Sequence, residues 1–150
     1  MHSVEIRAMA STDAEPVARL GGALGYEATA SDIQRRFARL NGFPDHAVFV
    51  AVDKDAIVGW AHVCGVLRLQ SDGYAEIGGI VVAASHRRRG TGRRLIRQCE
   101  NWGIEADYSR MRLRSGLQRD DAHAFYLRIG YEQRRASYAF ERSLSAGAEE

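Results

Sequence analysis

The chain opens on an alternating run, Val4-Glu5-Ile6-Arg7-Ala8-Met9, whose period of two predicts a first strand. Thr12 and Glu15 have the spacing of a capping box, and Pro16 suits a first helical turn. Val17, Leu20 and Leu24 then recur on one helical face. A second helix is predicted from Ser31, boxed by Gln34, with Ile33, Phe37 and Leu40 inward and Gly42 at its end. Three apolar runs follow, Ala47–Val52, Ala56–Leu69 and Tyr74–Ala83, separated by the turns Asp-Lys-Asp and Gln-Ser-Asp-Gly, and they predict an antiparallel meander. Leu95, Ile96, Cys99 and Trp102 mark a helix from about Thr91, and Met111–Ser115 reads as the next strand. Strand, helix and strand in that order predict a parallel crossover. A short helix over 120–129 turns Ala122, Phe125 and Ile129 inward, with Gly130 as its cap. Residues 131–133 and 137–144 read as closing strands. The fold class is α/β, or α+β: a mixed, mostly antiparallel central sheet flanked by helices, with one parallel crossover pair.

At 150 residues the chain reads as one domain, over 1–144, with a disordered tail over 145–150. Cys64 and Cys99 have no metal-type spacing and give no disulfide framework, which favours a reducing compartment. The start carries Glu5 and Arg7 and lacks the apolar core of a secretory signal. No apolar run reaches bilayer length, so a cytoplasmic protein without membrane contact is expected.

The net charge of +2 is unevenly placed. Arg87, Arg88, Arg89, Arg93, Arg94 and Arg97 fall in one window, and removing those six charges from +2 leaves −4. A nucleic-acid binder spreads its basic residues over a face. One local cluster suits a single small polyanion better.

The cluster surrounds Gly90-Thr91-Gly92, between a strand and a helix. First-turn amides have no intrahelical partners and carry the positive end of the helix dipole. Glycines let a ligand approach the backbone. Together these make a phosphate site. It is not a Walker loop, since no Gly-Lys-Ser/Thr follows, and a dinucleotide fingerprint fails at Leu95. By itself the turn reads equally well as solvated arginines around two glycines. The preceding strand adds Gly78 and Gly79, which mark a bulge or a close backbone approach. A broken strand leading into a phosphate site suits a ligand with a pyrophosphate at one end and an amide-bearing arm at the other, as coenzyme A has.

Arg87-Arg88-Arg89-Gly90-Thr91-Gly92 matches the Arg/Gln-x-x-Gly-x-Gly/Ala motif of the GNAT acetyltransferases. The strand before it, and the Phe-Tyr-x-x-x-Gly-Tyr ending over 125–131, also resemble that family, in its order and over nearly the whole chain. The resemblance implies an acetyl-CoA-dependent N-acetyltransferase that moves an acetyl group to a primary amine by direct attack in a ternary complex. It implies that backbone at Arg88, Arg89, Gly90, Thr91, Gly92 and Arg93 holds the pyrophosphate, with the Arg87 side chain near the phosphates. Ile80, Val81 and Val82 would pair with the pantetheine arm, and the Ile80 amide would polarise the thioester. Tyr126 matches the general acid. Glu76, which strict alternation puts on the face of Ile80, is the candidate base; the other reading is a strand carboxylate paired with an arginine.

On the acceptor side the resemblance points to Tyr26, Glu27 and Asp32 in the connection between the first two helices, and to His123 beside Tyr126 in sequence. Trp60 faces either core or cleft. Arg119 stands where many members carry asparagine, which puts that cofactor contact in doubt, and the surplus arginines suit the 3′-phosphate of coenzyme A. His86 reads as a turn residue, and His2, His46 and His62 form no constellation in the sequence, so no metal is expected. A non-catalytic acetyl-CoA sensor is the alternative, and a nucleic-acid module using the arginines a distant third. The acceptor, a small molecule or a protein, and a homodimer are left open.

Overall fold

A computed structural model describes residues 4–23, 25–114 and 120–145. The chain divides into two units, Met1–Arg114 and Ser115–Glu150.

In the first unit, strands β1 (Glu5–Ala8), β2 (His46–Asp53), β3 (Ala56–Arg68), β4 (Ser71–Val82) and β5 (Met111–Leu113) form one sheet in sequence order. The pairs are antiparallel except β4–β5, which is parallel over Ala75–Ile77. Helices α1 (Ala14–Ala23) and α2 (Ala30–Asn41) precede the meander, and α3 (Thr91–Glu105) makes the crossover. The predicted mixed sheet and its parallel crossover are therefore present.

The two faces of the sheet are covered differently. On one, Met9, Ala14, Val17 and Val50 form a buried cluster against which Ile33, Phe37, Val48 and Trp60 pack. On the other, α3 brings Leu95 against Gly59 and Gly103 against Ala75. A short 3-10 turn, Ser11–Asp13, starts α1.

The helix caps differ from those the sequence predicts. At α1 the group that caps is Asp13, not the Thr12–Glu15 box. Its Oδ2 accepts the Ala10 amide at 2.7 Å, and its two oxygens take the Arg7 guanidinium at 2.7 and 3.0 Å. The strand thereby reaches across to the helix start, and the Arg7 bond, with the Ala10 amide, holds the Asp13 carboxyl below its ordinary value. At α2 the box is Thr29–Asp32, two residues before Ser31–Gln34: Thr29 Oγ1 accepts the Asp32 amide and Asp32 Oδ2 accepts the Thr29 amide, both at 3.0 Å. Thr29 has the extended backbone an N-cap requires, whereas Ser31 is already helical. Leu24, predicted inward on α1, lies outside the described residues.

At the open end of the sheet, Tyr108 donates its hydroxyl to Asp45 Oδ2 at 2.5 Å, and that bond pushes the phenol up to about 12. The pair lies directly over Gly65, where a Cβ would collide with the Tyr108 hydroxyl and with Asp45 Oδ2. Gly65→Ala is accordingly expected to destabilise the unit by about 1–3 kcal/mol, the usual cost of overpacking. A denaturation midpoint equal to that of the parent would show that the pair moves aside freely.

The second unit contains helix α4 (Asp120–Arg128), ended by Gly130 in the left-handed region at φ 104°. The predicted strands over 131–133 and 137–144 are absent: these described residues have no regular structure. Their alternation is real, but a strand needs a second strand to form a ladder, and the only regular element among this unit's described residues is α4. Tyr138, Phe140 and Leu144 are 87%, 94% and 92% exposed, so the apolar side of the alternation is not buried among the described residues. Arg119 and residues 146–150 lie outside the described residues, as does Ser115 at the end of the predicted fifth strand.

Candidate active site

The centre of β4 departs from regular pairing. His62 pairs with Gly79 and Val63 with Ile77, so Gly78 is an extra residue and the strand bulges there. The bulge corrects one expectation. Glu76 pairs with Cys64, on the side of Trp60 and the α1–α2 cluster, whereas Ile80 pairs with Ala61, on the side of α3. The inserted residue reverses the alternation, so Glu76 and Ile80 do not share a face. The two glycines also admit close neighbours. A Cβ on Gly78 would lie 3.1 Å from His62 Nδ1, and one on Gly79 3.1 Å from the Trp60 ring. Trp60 thus packs with the core cluster while its edge overlies the bulge, and its buried indole N–H has no described partner.

Among the described residues the parallel ladder ends at Ile77 and Leu113, while β4 runs on through Ile80 and Val81 to Val82. A 3-10 turn, Ala84–His86, and an exposed turn over 87–90 then lead into α3. Gly90 is the N-cap of α3, left-handed at φ 82°, with no side chain capping the helix and no acid in its first turn. Thr91 is buried, and Arg93, Arg94 and Arg97 are exposed. None of the six arginines in this window pairs with an acid among the described residues. Arg87 donates weakly to the Val82 carbonyl at 3.4 Å, and Arg94 donates to the Val4 carbonyl. Arg88 also has a positive φ of 63°. The result is a run of cations and uncapped amides at a helix start.

His86 is more than a turn residue. Its Nε2 lies 2.7 Å from Asp53 Oδ2 and its Nδ1 2.8 Å from Ser85 Oγ, which ties the phosphate-type turn to the end of β2. Glu76 faces Arg114, whose Nε lies 3.6 Å away.

The largest omission of the sequence reading is on the Glu76 face. His46 Nδ1 and His62 Nε2 are 2.9 Å apart, with rings stacked at 5.2 Å and 15°. Cys64 stands two residues after His62 and pairs with His46 across β2–β3. Burial, then the charge of His46, lowers His62. Burial, then Glu76 and Asp45, raises Cys64. His62-x-Cys64 on a predicted strand was visible in the sequence. The approach of His46 depended on register.

Of the acceptor-side residues, Tyr26 is 57% exposed and Glu27 is exposed, in the loop after α1. Asp32 is engaged in the α2 cap and pairs with Arg35 at 3.1 Å. In the second unit, His123 and Tyr126 both lie on α4 and are partly buried. The Tyr126 ring is 5.5 Å from Phe125 and 6.4 Å from Tyr131.

The first unit thus joins a broken strand to an uncapped, arginine-rich helix start, on a mixed sheet with one parallel crossover. The model of the acetyltransferase (GNAT) family matches residues 14–131, and the chain belongs to that family. As a member it is an acetyl-CoA-dependent N-acetyltransferase. Similar solved structures include a putative acetyltransferase from Agrobacterium tumefaciens str. C58, at 25% identity and TM-score 0.81, covering 92% of this chain and 99% of that one. Aminoglycoside N-acetyltransferase AAC(6')-Iy in complex with CoA is 20% identical at TM-score 0.83, covering 95% and 97%. Aminoglycoside 6'-N-acetyltransferase AAC(6')-Ih from Acinetobacter baumannii is 16% identical at TM-score 0.82, covering 95% and 100%. No curated protein matches the sequence. No helix among the described residues is long and apolar enough to cross a membrane.

Proposed function

We propose that the protein transfers the acetyl group of acetyl-CoA to a primary amine of a small molecule, by direct attack within a ternary complex. The observation that carries this reading is the start of α3, uncapped and without an acid in its first turn, with Gly90 in the left-handed region and arginines around it that pair with no acid among the described residues. Backbone of Arg88, Arg89, Gly90, Thr91, Gly92 and Arg93 holds the pyrophosphate, and Arg87 contributes its charge. Ile80, Val81 and Val82, past the described end of the β4–β5 ladder, take the pantetheine arm. The two units act as one acetyltransferase domain, a reading supported by the family match, which covers residues 14–131 and so enters the second unit.

In the reaction, an acceptor ammonium loses a proton to Glu76, directly or through water. The amine nitrogen then bonds to the carbonyl carbon, the carbon–sulfur bond breaks, the departing thiolate takes a proton from the Tyr126 hydroxyl, and the extra proton on the new amide nitrogen passes through water to the Tyr126 phenolate. The Ile80 amide supports the charge that develops on the carbonyl oxygen. Tyr26, Glu27 and His123 are the acceptor contacts; Asp32, occupied in its cap, shapes that loop. A small amine is supported by the similarity to aminoglycoside N-acetyltransferases.

The test is release of free thiol from acetyl-CoA in the presence of a panel of primary amines, aminoglycosides included. Release that depends on one amine establishes transfer. Tight binding of acetyl-CoA with no release above the uncatalysed rate for any amine would favour a sensor instead.

A further inference from the structure

We propose that His46, His62 and Cys64 form a binding site for a zinc-type divalent cation. Each contributes one donor atom, two imidazole nitrogens and one sulfur, and these atoms all lie within 4.8 Å of one another. The sheet fixes the convergence. His62 and Cys64 are two apart on β3, so they share a face, and the register sets His46 opposite Cys64 on that same face. All three are half-buried, so they are shielded yet reachable.

The distances suit the ion. Tetrahedral zinc with bonds of about 2.0–2.1 Å to nitrogen and about 2.3 Å to sulfur separates its nitrogens by about 3.3 Å, and nitrogen from sulfur by about 3.6 Å. The two imidazole nitrogens now stand at 2.9 Å, joined by a hydrogen bond that occupies the line between them. A cation would replace that shared proton after a separation of a few tenths of an ångström. The imidazole that donates would carry its proton on its other nitrogen, and the thiol would release its proton to solvent. Glu76 lies directly across from Cys64, and Asp45 immediately precedes His46, so the surroundings favour positive charge.

The donor set also selects the metal. Two imidazoles and a thiolate favour zinc, cobalt, nickel or copper over magnesium and calcium, which prefer oxygen. Three protein ligands leave a fourth position for water or another donor. The site does not depend on which amine the enzyme acetylates.

The experiment is titration of the chelator-stripped, full-length protein with Zn²⁺ by calorimetry and with Co²⁺ by absorption. One equivalent of Zn²⁺ is expected to bind with micromolar or tighter affinity, to raise Tm, and to be unaffected by excess Mg²⁺. Co²⁺ is expected to give a thiolate-to-cobalt charge-transfer band. Cys64→Ser should abolish that band in a protein of unchanged circular dichroism. His46→Gln and His62→Gln should each weaken Zn²⁺ at least about 100-fold, more than the loss of an outer-shell partner. His86→Gln and Cys99→Ala should leave binding unchanged. Absence of stoichiometric binding by the folded parent overturns the proposal. So does binding that survives in folded Cys64→Ser and both glutamine variants.

Discussion

Gly92→Glu is expected to weaken acetyl-CoA binding at least about 100-fold while leaving the protein folded. Gly92 is the second residue of α3, in the first turn, where no acid now stands. A carboxylate there faces the pyrophosphate that the proposed site holds. Two unit charges 4 Å apart repel by about 4 kcal/mol at an effective dielectric of 20, and each 1.4 kcal/mol is about tenfold in affinity. The same carboxylate is favourable to the helix itself, because the first turn carries the positive end of the dipole. The two readouts therefore move apart: Kd rises in calorimetry, while Tm is unchanged or higher. Equal affinity in parent and variant would place the cofactor elsewhere, and the arginine cluster would then need testing against nucleic acid.

Tyr126→Phe is expected to lower kcat by about 100-fold or more, within the range a positioned general acid contributes, with acetyl-CoA affinity held within about twofold. The substitution removes one oxygen and keeps the ring that packs near Phe125 and Tyr131. The loss should therefore be chemical and not structural. Single-turnover thiol release with an amine identified in the panel separates the two. A turnover number equal to the parent's would remove Tyr126 from the mechanism and leave solvent to protonate the thiolate.

The second reading offered for Glu76, a strand carboxylate paired with an arginine, gains weight from the structure, because Arg114 lies 3.6 Å away. The face shared with Ile80, from which the base reading was argued, is lost at the bulge, whereas the ion-pair reading does not need it. Counting by twos along β4 was sound up to Ile77 and failed at Gly78, since a bulge is a property of two strands and not of one. Gly78 and Gly79 announced that something irregular occurs there, without saying which way the next side chain turns.

The amino-acid sequence by itself determined most of the elements and the glycine–arginine turn between β4 and α3. Those signals are local: apolar periodicity, and a run of arginines around Gly90 and Gly92 that needs only a strand before it and a helix after it. The order of the meander and the parallel crossover followed from the same periodicities. Tertiary structure decided what depends on distant parts of the chain. Asp13 became the cap of α1 because Arg7 of β1 reaches it. His86 met Asp53 from 33 residues away, and His46 met His62 from 16. The closing strands predicted over 131–133 and 137–144 had the right alternation, but no strand stands beside them among the described residues of their own unit. The physical reason is common to all of these. A pattern specifies which side of an element is apolar, but which residues touch is set by register and docking, where one inserted residue exchanges the faces.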